Sequence, residues 1–262
     1  MAQTTQRALS PARAAALAAG RSAALSAGQA STARSVAQML RKYRNAEPWT
    51  YYDTQILSGG AGAVNFANVP SPLPFMSART TGNVGLAVTN MTDVGKMDKD
   101  FLATTISVDV HCDTDTAAPA GGGVATAPAF VETVVAYGVL AISFGQDVKY
   151  VTPVIKCPSG GGVVAQTKVR TQAAGTDTES GSATNGLQTS QARRVLDEPI
   201  LFRRGIAFTL AILFPAGALA RINALEPLAG DFEALIRVNL EGVAGKPLLE
   251  GTPTGAARRR RR

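Results

Sequence analysis

The chain has 262 residues, of which 45% are hydrophobic and only 17% charged, with 26 Gly, 14 Pro, two Cys and one His. That length supports a sizeable core, whereas low charge with abundant Gly and Pro fits a helix-rich or coiled-coil protein poorly, and two cysteines build neither a disulfide scaffold nor a four-cysteine zinc site. The net charge of +7 is unevenly placed: residues 1–46 and 251–262 hold twelve basic residues and no acid, which leaves residues 47–250 at −5.

Residues 1–46 read as a basic, Ala/Arg-rich arm carrying Arg7, Arg13, Arg21, Arg34, Arg41, Lys42 and Arg44. Ser10 and Pro11 suit the start of a helix over 12–44. Arg13–Gly20 and Arg21–Gly28 form a short repeat, with Leu17 and Leu25 each four residues after an arginine. Large apolar side chains are too few for the arm to build a core, so it should be helical or disordered until a partner orders it. Val36, Leu40 and Tyr43 keep helical spacing and would dock the last turns. Arg13 and Arg21 break the apolar stretch a secretory signal needs, while the same composition also suits a cleaved organellar leader.

From Glu47 the pattern turns to period two. Strands are expected over Thr50–Leu57, Ala63–Val69, Val84–Asn90 and Leu102–Cys112, with Gly, Pro and Asn between them. Within Thr104–Cys112, Ile106, Val108, Val110 and Cys112 should share the buried face, opposite Ser107, Asp109 and His111. Further strands are expected over Val131–Phe144 (bent at Gly138), Val148–Lys156, Val163–Thr171, Ile206–Phe214 and Leu235–Val243. The polar stretches Ala117–Pro128 and Thr171–Arg194 read as surface excursions. About nine strands without βαβ alternation predict an all-β fold, an antiparallel sandwich or barrel over 47–250. The longest apolar runs are too short for a membrane-spanning helix. The Asn90-Met91-Thr92 sequon is read as chance, since no secretory signal accompanies it.

Candidate chemistry is sparse. Neither Gly160-Gly161-Gly162 nor Gly60-Ala61-Gly62 meets the phosphate-loop pattern, and both read as turns. Asp109, His111, Asp113 and Asp115 alternate along one strand and are the only metal-ligand candidates; the same alternation describes the solvent face of a half-buried strand, and no metal site is assigned. Cys112 points away from His111 on a strand, which excludes a Cys–His nucleophile pair, and both cysteines read as core residues. No catalytic residue or cofactor is expected. Trp49, Tyr51 and Tyr52 either stack on bases or, as the preferred reading, anchor the arm by burying aromatic area.

Arg258, Arg259, Arg260, Arg261 and Arg262 are the strongest signal. Five adjacent guanidinium groups repel one another and pair with phosphates; an engineered tag and a nuclear localisation signal are competing readings. A basic arm, an all-β body of about 200 residues and an arginine tail together resemble, as an architecture, the jelly-roll capsid proteins of small icosahedral tailless viruses and phages. The resemblance implies a capsid subunit located in the virion. Its partners would be further copies of itself in an icosahedral shell, the genomic nucleic acid and other virion proteins. The twelve basic residues would be the nucleic-acid-binding set. Two alternatives stand beside it: a non-viral nucleic-acid-binding β-barrel, which requires a basic strand face with interleaved aromatics, and an organellar all-β protein behind a cleaved leader.

Overall fold

The computed structural model describes residues 34, 37, 43–58, 69–76, 88–91, 95–116, 123–160, 162–171, 177–186, 192–224 and 232–247. These form ten strands: β1 (Tyr43–Ser58), β2 (Leu73–Phe75), β3 (Asp100–Thr116), β4 (Val139–Phe144), β5 (Asp147–Pro153), β6 (Val164–Thr171), β7 (Asp177–Thr184), β8 (Arg194–Phe202), β9 (Thr209–Leu213) and β10 (Phe232–Pro247). Helix α1 (Gly123–Tyr137) precedes β4, and α2 (Ala216–Ala224) follows β9. The fold is mostly β, and all pairings between named strands are antiparallel.

The strands lie in two sheets arranged as a sandwich. One has the order β1-β10-β3-β7-β6, with β8 also on β3; the other has the order β2-β9-β4-β5. Four of the pairings are nested in sequence: β4 with β5, β3 with β8, β2 with β9 and β1 with β10. The chain thus runs as a two-stranded ribbon doubled back at the β4–β5 turn, with the β6–β7 hairpin inserted before β8. β3 and β10 alternate as their sequences require. Ile106, Val108, Val110 and Cys112 are buried beside Ala234, Ile236, Val238 and Leu240. They join Leu73, Phe75, Leu140, Ile142, Leu210 and Ile212 of the other sheet in one core.

β3 is saturated along both edges. β10 follows one edge throughout, while the other is divided between β8 at Phe101–Ile106 and β7 at His111–Thr116. Asn185 fills much of the interval. Its Oδ1 accepts the Val110 N–H at 3.0 Å, its Nδ2 donates to the Val108 carbonyl at 2.6 Å, and its own N–H donates to the Val110 carbonyl at 3.1 Å. The Cys157 carbonyl takes the remaining Val108 N–H at 3.0 Å. Ser159 donates to Asn185 Oδ1 at 3.0 Å. A side chain therefore substitutes for a ladder rung where two neighbouring strands fail to meet.

Four expectations are corrected. The run Val131–Phe144 is not one bent strand: it is the second half of α1 followed by β4. A Cβ at Gly138 would lie 2.5 Å from the Val134 carbonyl oxygen, so the chain leaves the helix at a residue with no room for a side chain. The start of α1 likewise falls within the supposed excursion Ala117–Pro128, with Pro128 inside the helix. Thr171–Arg194 is not wholly an excursion, because β7 lies between β3 and β6. It buries Gly181 and Ala183, with Asn185 just beyond, residues too small to read as an apolar stripe. Helical spacing through Tyr43 also fails: β1 starts there, and the Arg44 backbone pairs with Lys246. Arg34 and Ala37 are helical and exposed. Most of the expected strands Ala63–Val69 and Val84–Asn90 lies outside the described residues.

The outer faces of the two sheets differ. On the larger sheet, Asn239 Nδ2 donates to Asp109 Oδ2 at 2.8 Å, and the Arg237 Nε–H donates to Thr54 Oγ1 at 2.9 Å. On the smaller sheet, Leu140, Ile142, Leu210 and Ile212 turn inward, so Val139, Ala141, Ser143, Thr209, Ala211 and Leu213 take the other side, where Ala211 is nonetheless buried. The register sets Pro74, Ala211, Ala141 and Val151 in one row across all four strands. A bulge at Lys149 pairs Val148 with Ser143 on the same outer side.

Candidate functional site

The nucleic-acid-binding set expected from the sequence falls mostly outside the described residues: Arg7, Arg13, Arg21, Arg41, Lys42 and Arg258 to Arg262 all do. Arg34 is exposed on helical backbone, and Arg44 contributes backbone to β1.

The aromatic residues after the arm divide. Tyr51 is buried and meets Phe101 edge-on at 4.9 Å, and its hydroxyl donates to Asp98. Burial first, and the Asp98 carboxylate second, push that phenol well above its ordinary pKa. Trp49 stays 40% exposed, with the Lys99 ammonium 4.8 Å from its ring centre. Tyr52 is half-buried beneath the Arg237 guanidinium. Tyr51 is therefore buried in the body, while Trp49 remains open to solvent.

The alternating polar residues of β3 are drawn into separate partnerships. Asp109 is held by Asn239, whereas His111 Nε2 lies 2.8 Å from Asp113 Oδ2 at the surface. The side chain of Asp115 is outside the described residues. Among the described residues, no three His, Cys, Asp or Glu side chains are grouped to hold a metal. This face also mixes signs: Arg237 stands opposite Asp109 in register, with Glu233 and Glu241 on the same strand. It lacks the uniform positive potential that phosphate binding needs.

Cys112 and Cys157 are both fully buried. The Cys157 carbonyl bonds at Val108, four residues along β3 from Cys112, and both thiols are free. Burial pushes Cys157 up to about 12 and Cys112 higher still. Neither supplies a thiolate near neutral pH.

A cleft of about 590 Å³ lies between β5 and β8, and no sequence pattern announces it. Phe144, Tyr150, Pro199, Ile200, Leu201 and Ile206 supply its apolar lining, with Lys149, Arg203, Asp197 and Glu198 as its charged residues. Phe144 packs on Phe202 and Phe208 at 5.3 and 6.4 Å, fixing the floor from the core side. Arg194 donates to Asp197 Oδ2 at 3.1 Å. The lining comes from β4, β5, β8 and the turn after β8, segments up to 62 residues apart, so no local spacing signals it. Two cations and two anions around an apolar floor suit an uncharged or zwitterionic occupant, not a polyanion.

Among the described residues, no helix is long and apolar enough to cross a membrane. Comparison with protein-family models, curated proteins and solved structures finds no match.

Proposed function

We propose that this chain is a virion structural protein, a jelly-roll capsid subunit that assembles with copies of itself into an icosahedral shell and holds the genome through its basic ends. The observation that carries this reading is the nested pairing of β1 with β10, β2 with β9, β3 with β8 and β4 with β5 across two sheets. A jelly roll is such a doubled ribbon wound into eight strands and two Greek keys, an architecture used by capsid, lectin and cupin domains. Charge separates these possibilities: twelve basic residues without an acid flank a span of net −5. A body of that sign repels phosphate, so binding to nucleic acid belongs to the ends, where arginines release counterions from the backbone without reading bases. Both ends of the described body fall on neighbouring strands, since Tyr43 pairs with Pro247. The two basic segments therefore leave from one place and can reach the same stretch of genome. Further virion proteins would bind the shell rather than complete it.

Negative-stain microscopy of the purified chain, with and without added nucleic acid, tests the reading. Closed particles of uniform diameter are expected. Monodisperse monomers under both conditions would overturn it.

A further inference from the structure

We propose that the cleft between β5 and β8 binds a short extended peptide with free ends, its ammonium at Glu198 and its carboxylate at Arg203. The cleft is built in advance of any ligand, and its volume of about 590 Å³ lies within the ~300–1,000 Å³ of preformed ligand sites. Phe144, Tyr150 and Ile200 pack against the core and fix its floor. The turn that carries Arg203 and Ile206 is fastened to the body: the Arg204 N–H donates to Asp100 Oδ1 at 2.6 Å, and the Gly205 N–H to the Met97 carbonyl at 3.1 Å. Another wall is a break in register. Ala103 pairs with Ile200 but Thr105 with Val195, so residues 196–199 stand against Thr104 alone. Such bulges re-aim side chains beside functional sites, and here Asp197, Glu198 and Pro199 line the cleft.

Charge and shape select the occupant. Of the charged residues in the lining, Lys149 is paired with Asp147 at 3.5 Å and Asp197 with Arg194 at 3.1 Å. Among the described residues, the Glu198 and Arg203 side chains take part in no ion pair. The cleft thus keeps one anion and one cation to offer, beside open apolar surface: Ile206 is 51% exposed and Leu201 38%. A ligand with a positive and a negative end satisfies both, whereas a single charge of either sign would meet one like charge. Glu198 and Arg203 stand at most about 17 Å apart along the chain at ~3.3 Å per residue, a span that about three or four extended residues cover with the reach of the two side chains. Among the described residues, β5 and β8 are each paired along one edge only, and an extended backbone is the partner that an unpaired strand edge recognises.

The probe is trileucine with free ends, titrated into the full-length chain and followed by ligand-observed NMR. Blocking either end, by N-acetylation or C-amidation, should weaken binding about two- to fivefold, the scale of one exposed ion pair. Triglycine, with no side chains for the apolar lining, should bind at least about tenfold more weakly than trileucine. Glu198→Gln and Arg203→Gln alter exposed side chains, so they should leave the circular dichroism unchanged and weaken binding by the same factor as the blocks. The decisive pattern is pairwise: acetylation should no longer matter to Glu198→Gln, nor amidation to Arg203→Gln, while each variant keeps its sensitivity to the other block. Absence of trileucine binding, equal binding of free and doubly blocked peptide, or full sensitivity of both variants to both blocks would overturn the inference. None of these outcomes bears on shell assembly.

Discussion

Replacing Asn185 with alanine leaves the Val110 N–H and the Val108 carbonyl without partners in the middle of β3, where both valines are fully buried. Each stranded backbone group costs about 1–3 kcal/mol, and the Ser159 hydroxyl loses its acceptor as well. The expected destabilisation is about 3–5 kcal/mol, a large fraction of the ~5–15 kcal/mol that holds a typical domain folded. With a urea dependence of about 2.5 kcal/mol per molar, the unfolding midpoint of the dissociated subunit should fall by about 1–2 M. Ser159→Ala removes one hydrogen bond and should cost only about 1 kcal/mol. The assay is equilibrium urea unfolding of wild type and both variants, followed by far-ultraviolet circular dichroism. An Asn185→Ala midpoint within about 0.2 M of wild type would refute the role of this side chain as a ladder rung.

Asp53 is buried, and its carboxylate accepts the Met76 N–H at 2.6 Å. Burial nevertheless dominates and raises its pKa, against the hydrogen bonds from Met76, Thr89 and Thr54. The native state then holds the proton more tightly than the unfolded chain, so this group's stabilisation is complete below about pH 3.9 and is lost as pH rises through the native pKa. Asp53→Asn should flatten that part of the urea-midpoint profile between about pH 3 and 7; a profile identical to wild type would contradict the assignment. Cys112 and Cys157 should label with a thiol reagent only as fast as the subunit opens, and rapid labelling of native protein at pH 8 would show that they are accessible. Replacing Arg258 to Arg262 with alanine should reduce the slope of log affinity for nucleic acid against log salt by about 0.7–0.9 for every phosphate left unneutralised, without altering base preference. An unchanged slope would move the binding site to the body.

The parts of the fold that could be read in the sequence are those where one face is large and apolar and the other polar. β3 and β10 met that condition, and their inward residues Ile106, Val108, Val110, Ile236, Val238 and Leu240 are buried as the alternation required. Val131–Tyr137 failed it, because a short apolar run looks alike in a strand and in a buried helix, and only Gly138 marks the change. β7 was concealed for the opposite reason: its buried side is built from Gly181 and Ala183, which pack closely without adding hydrophobicity. The rung made by Asn185 depends on a gap between β7 and β8 that exists only after the sheet has formed. The charge division between body and ends was fully legible because it needs no geometry. The cleft and the uncharged outer face were not, since each is assembled from strands distant in sequence, and register decides which residues share a surface.

Nuclease protection puts the central proposal, a shell with its genome held by basic ends, to its most direct test. The purified full-length chain is assembled with nucleic acid, digested, and separated by sedimentation, alongside a chain of residues 43–250. Full-length particles should sediment as one closed species and retain nuclease-resistant nucleic acid of a narrow length class, while the shortened chain retains little. Complete digestion in both samples, or equal retention without the basic ends, would contradict it.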